Sequence, residues 1–116
     1  MTLKAQMVTF DCTDPDALAA WWAGAVGGEL NAVAPGEFVV VVCEQGPALG
    51  FQRVPAPTPG KNKVHLDFDT PDRDGEVARL VEAGATELGR QSYGPGIEWV
   101  VLEDPEGNAF CVAGDS

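Results

Sequence analysis

The chain has 116 residues, enough for one domain with its own apolar core and no need of disulfide or metal staples. Acidic residues outnumber basic ones 18 to 7, a formal net charge of −11, and that field repels nucleic acid and anionic membrane alike. The apolar share, 45%, is that of an ordinary globular protein, and no apolar run approaches bilayer-spanning length.

Residues 6–12 alternate Val8, Phe10 and Cys12 with Thr9 and Asp11, the period of a half-buried strand. Asp14-Pro15-Asp16 then starts a helix, with Asp14 able to cap free amides and Pro15 suited to the first turn. Leu18, Trp21, Trp22, Ala25 and Val26 follow at helical spacing, and Gly27-Gly28 ends the run. Strands are expected near 29–34, 37–43 and 48–54, separated by Pro35-Gly36 and Gly46-Pro47. Residues 55–62 hold the richest Pro/Gly stretch, which suits neither a helix nor a central strand and reads as a connection. A second series follows: a strand over 63–69, a helix over about 72–83 closed by Gly84, then strands near 85–91, 97–103 and 109–113. Glu103-Asp104-Pro105-Glu106-Gly107-Asn108 is a tight acidic turn between the last two.

The two series echo each other. Val8-Thr9-Phe10-Asp11-Cys12-Thr13-Asp14-Pro15-Asp16 aligns without a gap on Val64-His65-Leu66-Asp67-Phe68-Asp69-Thr70-Pro71-Asp72, an offset of 56. Gln45-Gly46-Pro47-Ala48-Leu49 echoes Glu106-Gly107-Asn108-Ala109-Phe110. The expected domain covers residues 1–116, with one βαβββ module over about 6–54, a linker over 55–62 and a second module over about 63–113. The expected fold class is α+β: two such modules forming a curled mixed sheet around a cleft. Alternation sends Val8, Phe10, Leu49, Phe51, Leu66, Phe68, Phe110 and Val112 to the helix side. Thr9, Asp11, Ala48, Gly50, Gln52, His65, Asp67, Ala109 and Cys111 go to the opposite, cleft-facing side.

The three cysteines, Cys12, Cys43 and Cys111, form no C-x-x-C pair and no zinc spacing. Scattered thiols in apolar runs, with no signal peptide ahead of them, point to reduced, buried side chains and a cytoplasmic location. Little positive charge lies near them in sequence to activate a thiolate.

Asp104-Pro105-Glu106-Gly107-Asn108-Ala109-Phe110-Cys111-Val112 resembles the closing motif of the vicinal oxygen chelate superfamily, to which glyoxalase I, extradiol dioxygenases and bleomycin-binding proteins belong. The run from Asp11 to Trp22, together with Leu49-Gly50-Phe51-Gln52-Arg53-Val54-Pro55 and His65-Leu66-Asp67-Phe68, resembles its glyoxalase-like branch. The resemblance covers essentially the whole chain. It implies the glyoxalase/bleomycin resistance fold and a homodimer. In the enzymes of the family it also implies a metal held by His, Gln or Glu from the first, fourth, fifth and eighth strands. Matched to this chain, those positions are Met7 or Thr9, Ala48, His65 and Ala109, so only His65 is a usual ligand and no metal or other cofactor is expected.

His65, the sole histidine, is the candidate catalytic residue, as base or ligand; it also reads as a hydrogen bonder to a bound molecule or as a structural side chain. Asp11 and Asp67 read either as a facing pair that binds a cation or moves a proton, or as solvated strand-end carboxylates. Gln52 adds polarity, and Phe38, Tyr93 and Trp99 are aromatics of the kind that line apolar pockets, with Gly94-Pro95-Gly96 forming a turn beside Tyr93. Asp11, Phe38, Gln52, His65, Asp67, Tyr93 and Trp99 are therefore the expected ligand-binding set. The first expectation for function is a metal-free small-molecule binder of the sequestration or resistance type. The alternative is a lyase or isomerase of the glyoxalase-like class that uses His65, and a third reading is a protein whose cleft has decayed and whose role is dimer-based interaction.

Overall fold

The computed structural model describes residues 2–60, 62 and 64–115; Lys61 and Lys63, read above as the end of the linker and the start of a strand, lie outside the described residues. The chain divides into two compact units with the boundary between Thr58 and Pro59. In the first unit β1 (Met7–Cys12), α1 (Pro15–Val26), β2 (Glu29–Ala34), β3 (Phe38–Val42) and β4 (Ala48–Arg53) build a four-stranded sheet of order β1-β4-β3-β2. In the second, β5 (Leu66–Thr70), α2 (Arg73–Glu82), β6 (Thr86–Ser92), β7 (Glu98–Glu103) and β8 (Ala109–Gly114) repeat it as β5-β8-β7-β6. Each unit is thus a βαβββ module. Its first and last strands pair in parallel, and the remaining pairs are antiparallel. None of the described helices is long and apolar enough to cross a membrane.

Each helix starts where its cap dictates. The Asp14 carboxylate accepts from the Ala17 amide at 3.2 Å, with Pro15 in the first turn. The Asp72 carboxylate accepts from the Gly75 amide at 3.1 Å. Gly27 closes α1 in the left-handed region at φ 67, a conformation that costs a glycine nothing. The helices then differ in how they hold their sheets. α1 buries Pro15, Leu18, Ala19 and Trp22, and Trp22 meets Phe10 at 5.4 Å between ring centroids while Phe10 meets Phe51 at 4.9 Å. Each such fully buried side chain stabilises by about 1.5–3 kcal/mol. α2 is polar and buries only Val77, Leu80 and the stem of Arg73, whose guanidinium donates to the Gly114 carbonyl at 3.3 Å and lies 3.6 Å from Glu98. Its residue Asp74 makes an exposed ion pair with Arg90 of β6 at 2.8 Å, and solvent screens such surface pairs.

In the first strand and cap the internal repeat runs at a different offset from the gapless 56, whereas the echo of Gln45–Leu49 in Glu106–Phe110 has the observed offset of 61. Asp14 and Asp72 are the equivalent caps, and the register Thr9↔Gly50 matches Asp67↔Cys111. The offset is therefore 58 in the first strand and cap, and 61 in the third and fourth strands, where Val40↔Gly50 matches Val101↔Cys111. The gapless offset of 56 aligns Pro15 with Pro71, yet Pro71 lies ahead of its helix whereas Pro15 lies inside. The two offsets differ by two residues, one full pleat. Every side chain therefore keeps its face, and the expected apolar partition survives the change. Equivalence of Met7 with His65 follows, which selects Met7 over Thr9 as the first-strand counterpart of the histidine.

The β7–β8 turn is a knot around one buried carboxylate. Asp104 accepts from the Glu106 and Asn108 amides, both at 2.9 Å, and from the Asn108 side chain at 2.9 and 3.1 Å. Its own amide donates to the Asn108 carbonyl at 2.9 Å. One residue later the Asn62 side chain brackets Ala109, accepting from its amide at 3.0 Å and donating to its carbonyl at 3.4 Å. Removing the carboxylate leaves several buried donors unpaired. Asp104→Ala should lower unfolding stability by about 2–4 kcal/mol by urea titration, whereas Glu106→Gln, at a half-buried position of the same turn that keeps its backbone amide, should cost less than about 1 kcal/mol.

Candidate functional site

The candidate residues fall into two sets, one on the helix-distal sheet face of each unit. In the first unit Asp11 lies beside Gln52, and Gln52 beside Phe38, so the three form one row across β1, β4 and β3. Asp11 and Gln52 are exposed and Phe38 is half-buried. The next row is Thr9, Gly50 and Val40. A side chain at Gly50 would meet the Met7 sulfur at 2.8 Å, the Thr9 hydroxyl at 3.0 Å and the Phe38 ring at 3.2 Å. Glycine is what lets these three converge.

The second unit presents the same places with other chemistry. Phe38 is replaced by its counterpart Trp99, which packs against Tyr93 with centroids 5.1 Å apart and ring planes tilted by 50°. Tyr93 is 82% exposed. It sits at the mouth of a pinned turn: its amide donates to the Ile97 carbonyl at 2.9 Å, Ile97 donates back to Gly94 at 3.0 Å, and the Gly94 amide donates to the Ser92 hydroxyl at 3.0 Å. Gln91, paired with Trp99 across β6 and β7, extends the aromatic row with an amide.

At the β5 edge, His65, Asp67 and Cys111 come together. The His65 Nδ1 lies 3.2 Å from the Asp67 carboxylate and 3.8 Å from the Cys111 sulfur. All three offer one donor atom within 4.8 Å of each other. His65 and Asp67 are accessible, while Cys111 is buried. Both contacts fall on the same imidazole nitrogen. A nucleophile–base–orienter relay uses the two nitrogens separately, so this is not a catalytic triad in that sense.

Cys111 was missed by sequence reasoning, which treated it as an inert buried thiol. The criterion was positive charge nearby in the chain, but its partner His65 arrives from 46 positions away through the β5–β8 pairing. The signal was present in the alternation, which already put Cys111 and His65 on one face. Of the four positions that the family resemblance implies, Met7, Ala48 and Ala109 offer none of the His, Gln or Glu donors, and only His65 does. Those four positions do not fit the family's metal.

The family model described as a glyoxalase-like domain matches residues 7–113. Among solved structures, a glyoxalase/bleomycin resistance protein/dioxygenase family enzyme from Burkholderia phytofirmans PsJN is 21% identical over 95% of this chain and 97% of its own, with a TM-score of 0.80. A lactoylglutathione lyase from Agrobacterium tumefaciens is 18% identical over 97% of this chain and 93% of its own, at 0.72. A member of the glyoxalase/bleomycin resistance protein/dioxygenase superfamily from Sphaerobacter thermophilus DSM 20745 is 20% identical over 98% of each, at 0.74. At these identities the structures establish the shared fold. No curated protein matches the chain.

None of Cys12, Cys43 and Cys111 is in a disulfide, and Cys43, just past β3, is the least buried. Burial pushes the Cys43 thiol above its ordinary range. Because the thiolate is the nucleophile, iodoacetamide should modify Cys43 first among the three, and its rate should keep climbing about tenfold per pH unit through the ordinary thiol range near 8.5. Peptide mass mapping against pH checks this; a plateau at or below that range contradicts the shift.

Proposed function

The chain belongs to the glyoxalase-like domain family of the vicinal oxygen chelate superfamily, and on that premise we propose that it binds a small cationic or apolar molecule without using the family's metal centre. The observation that carries this reading is the Tyr93–Trp99 ring pair, held open to solvent by a hydrogen-bonded turn on the helix-distal face. Aromatic faces attract planar and cationic groups. The acidic side chains Asp11 and Asp67, on the corresponding faces of the two units, and the net charge of −11 favour a cation over an anion. Gln52, His65 and Phe38 supply the remaining polar and stacking contacts. The protein is proposed to act as a homodimer in the cytoplasm, a compartment that suits three cysteines not joined in disulfides.

A second reading is favoured by one contact. His65 held by Asp67 at 3.2 Å has its Nε2 left to act as a base, which suits a lyase or isomerase. In that case any turnover found should fall about 100-fold or more in His65→Ala, and unchanged turnover removes the reading.

Native mass spectrometry on protein purified without a metal-affinity tag tests the binding proposal. The expected result is a dimer carrying an organic adduct that survives exhaustive chelation. Trp99→Ala should weaken rebinding of that adduct by about tenfold or more, since each 1.4 kcal/mol of lost contact is a factor of ten. Release of the adduct by chelation alone, or equal affinity in Trp99→Ala, would overturn it.

A further inference from the structure

The geometry points to a three-donor site for a borderline divalent cation of the zinc type at His65, Asp67 and Cys111. It is built from positions other than the family's four, save for the histidine. With metal–sulfur and metal–nitrogen or –oxygen bonds of about 2.3 and 2.0–2.1 Å, tetrahedral angles put sulfur and nitrogen about 3.5 Å apart, and nitrogen and oxygen about 3.3 Å apart. The observed separations are 3.8 Å for Cys111 Sγ to His65 Nδ1 and 3.2 Å for His65 Nδ1 to Asp67 Oδ1. The third separation, sulfur to carboxylate, is within 4.8 Å, and the exposed Asp67 side chain closes it by rotation.

Both contacts converge on Nδ1, the arrangement in which one ion answers all three donors at once. The donor chemistry is selective. Thiolate with imidazole and one carboxylate suits zinc-like ions and disfavours magnesium or calcium, which take oxygen ligands. Three protein ligands leave a fourth position for water or an incoming donor, the pattern of an open site rather than a closed structural one. Cys111 is buried while His65 and Asp67 reach solvent, so the ion enters from the edge of β5.

The duplication supplies an internal comparison. The counterparts of His65, Asp67 and Cys111 in the first unit are Met7, Thr9 and Gly50. They converge on the corresponding spot, since a methyl group placed at Gly50 would lie 2.8 Å from the Met7 sulfur and 3.0 Å from the Thr9 hydroxyl, but they carry a thioether, a hydroxyl and no side chain. The shared backbone brings three positions together in both units, and only the second unit fills all three with donors for a divalent ion.

This inference goes beyond the binding proposal and stands apart from it, because metal uptake is read with no organic molecule present. Cobalt(II) replaces zinc as the probe, since thiolate-to-cobalt charge transfer reports the sulfur ligand directly. Metal-free full-length protein, titrated with cobalt(II), should take up one ion per chain with that band, and zinc(II) should displace it. Cys111→Ser should abolish the band, and His65→Ala should weaken uptake about 100-fold. The exposed substitution Asp67→Asn, which leaves the core untouched, should weaken it about tenfold or more. Cys43→Ser should change nothing. Absence of uptake by the unaltered protein, or a thiolate band that persists in Cys111→Ser, overturns the inference. Should Cys111→Ser fail to fold, Asp67→Asn decides alone, with equal cobalt affinity counting against the site.

Discussion

The three-donor site proposed for this protein depends on the parallel pairing of the first and last strands of its module, β5 and β8. Adjacent strands lie about 4.8 Å apart, so residues paired on one face stand within side-chain reach whatever their distance in the chain. Asp67↔Cys111 is such a pair, and His65 precedes it on the same edge. The helix-side counterpart, Phe68 against Phe110 with centroids 5.9 Å apart, helps hold that register from the other face. A slip of one residue would turn Phe110 outward and Cys111 into the core. The hydrophobic core thus fixes the polar face, and buried Cys111 belongs to both.

A parallel pair needs a crossover, and the two modules build theirs with unequal means. The α1 crossover is secured by Trp22 packing on Phe10. The α2 crossover has fewer apolar contacts and relies in part on Arg73, whose amide also donates to the Asp115 carbonyl at 2.6 Å just past β8. Hydrogen bonds to charged groups are worth about 1.5–3 kcal/mol, less than a buried aromatic cluster. The module with the richer polar face therefore has the thinner apolar anchor, and its last strand is tied at both ends instead: by Asn62 at Ala109 and by Arg73 at Gly114.

Much of this was legible in the chain. Alternation in Val8-Thr9-Phe10-Asp11-Cys12 and the capping aspartates place strands, helices and faces with little error, because period and capping are local physics. The repeat offset was misread for the same reason. Val8, Asp11 and Pro15 match Val64, Asp67 and Pro71 by identity, whereas equivalence in space is set by which residue caps the helix and which pairs across strands. What local reading cannot supply is distance between side chains from remote segments. His65 and Asp67 were recognisable as candidates, but their convergence with Cys111 exists only once β5 and β8 lie side by side, and the thiol's surroundings cannot be judged from its chain neighbours.

The position of Ala109 shows how small a move separates this chain from the metal chemistry its family resemblance implies. Along β8 the residues facing away from the helix are Ala109, Cys111 and Ala113, spaced by one pleat, about 6.6 Å. The expected carboxylate belongs at Ala109, in the row of His65, where a methyl group now stands. One pleat further, Cys111 sits in the row of Asp67, and a histidine side chain is long enough to reach from its own row into the next. An acid and a thiol in the next row keep two donor atoms beside the histidine. The histidine stays common to both arrangements, and the ligand set turns from oxygen-rich to sulfur-containing, which changes the preferred ion more than it changes the backbone.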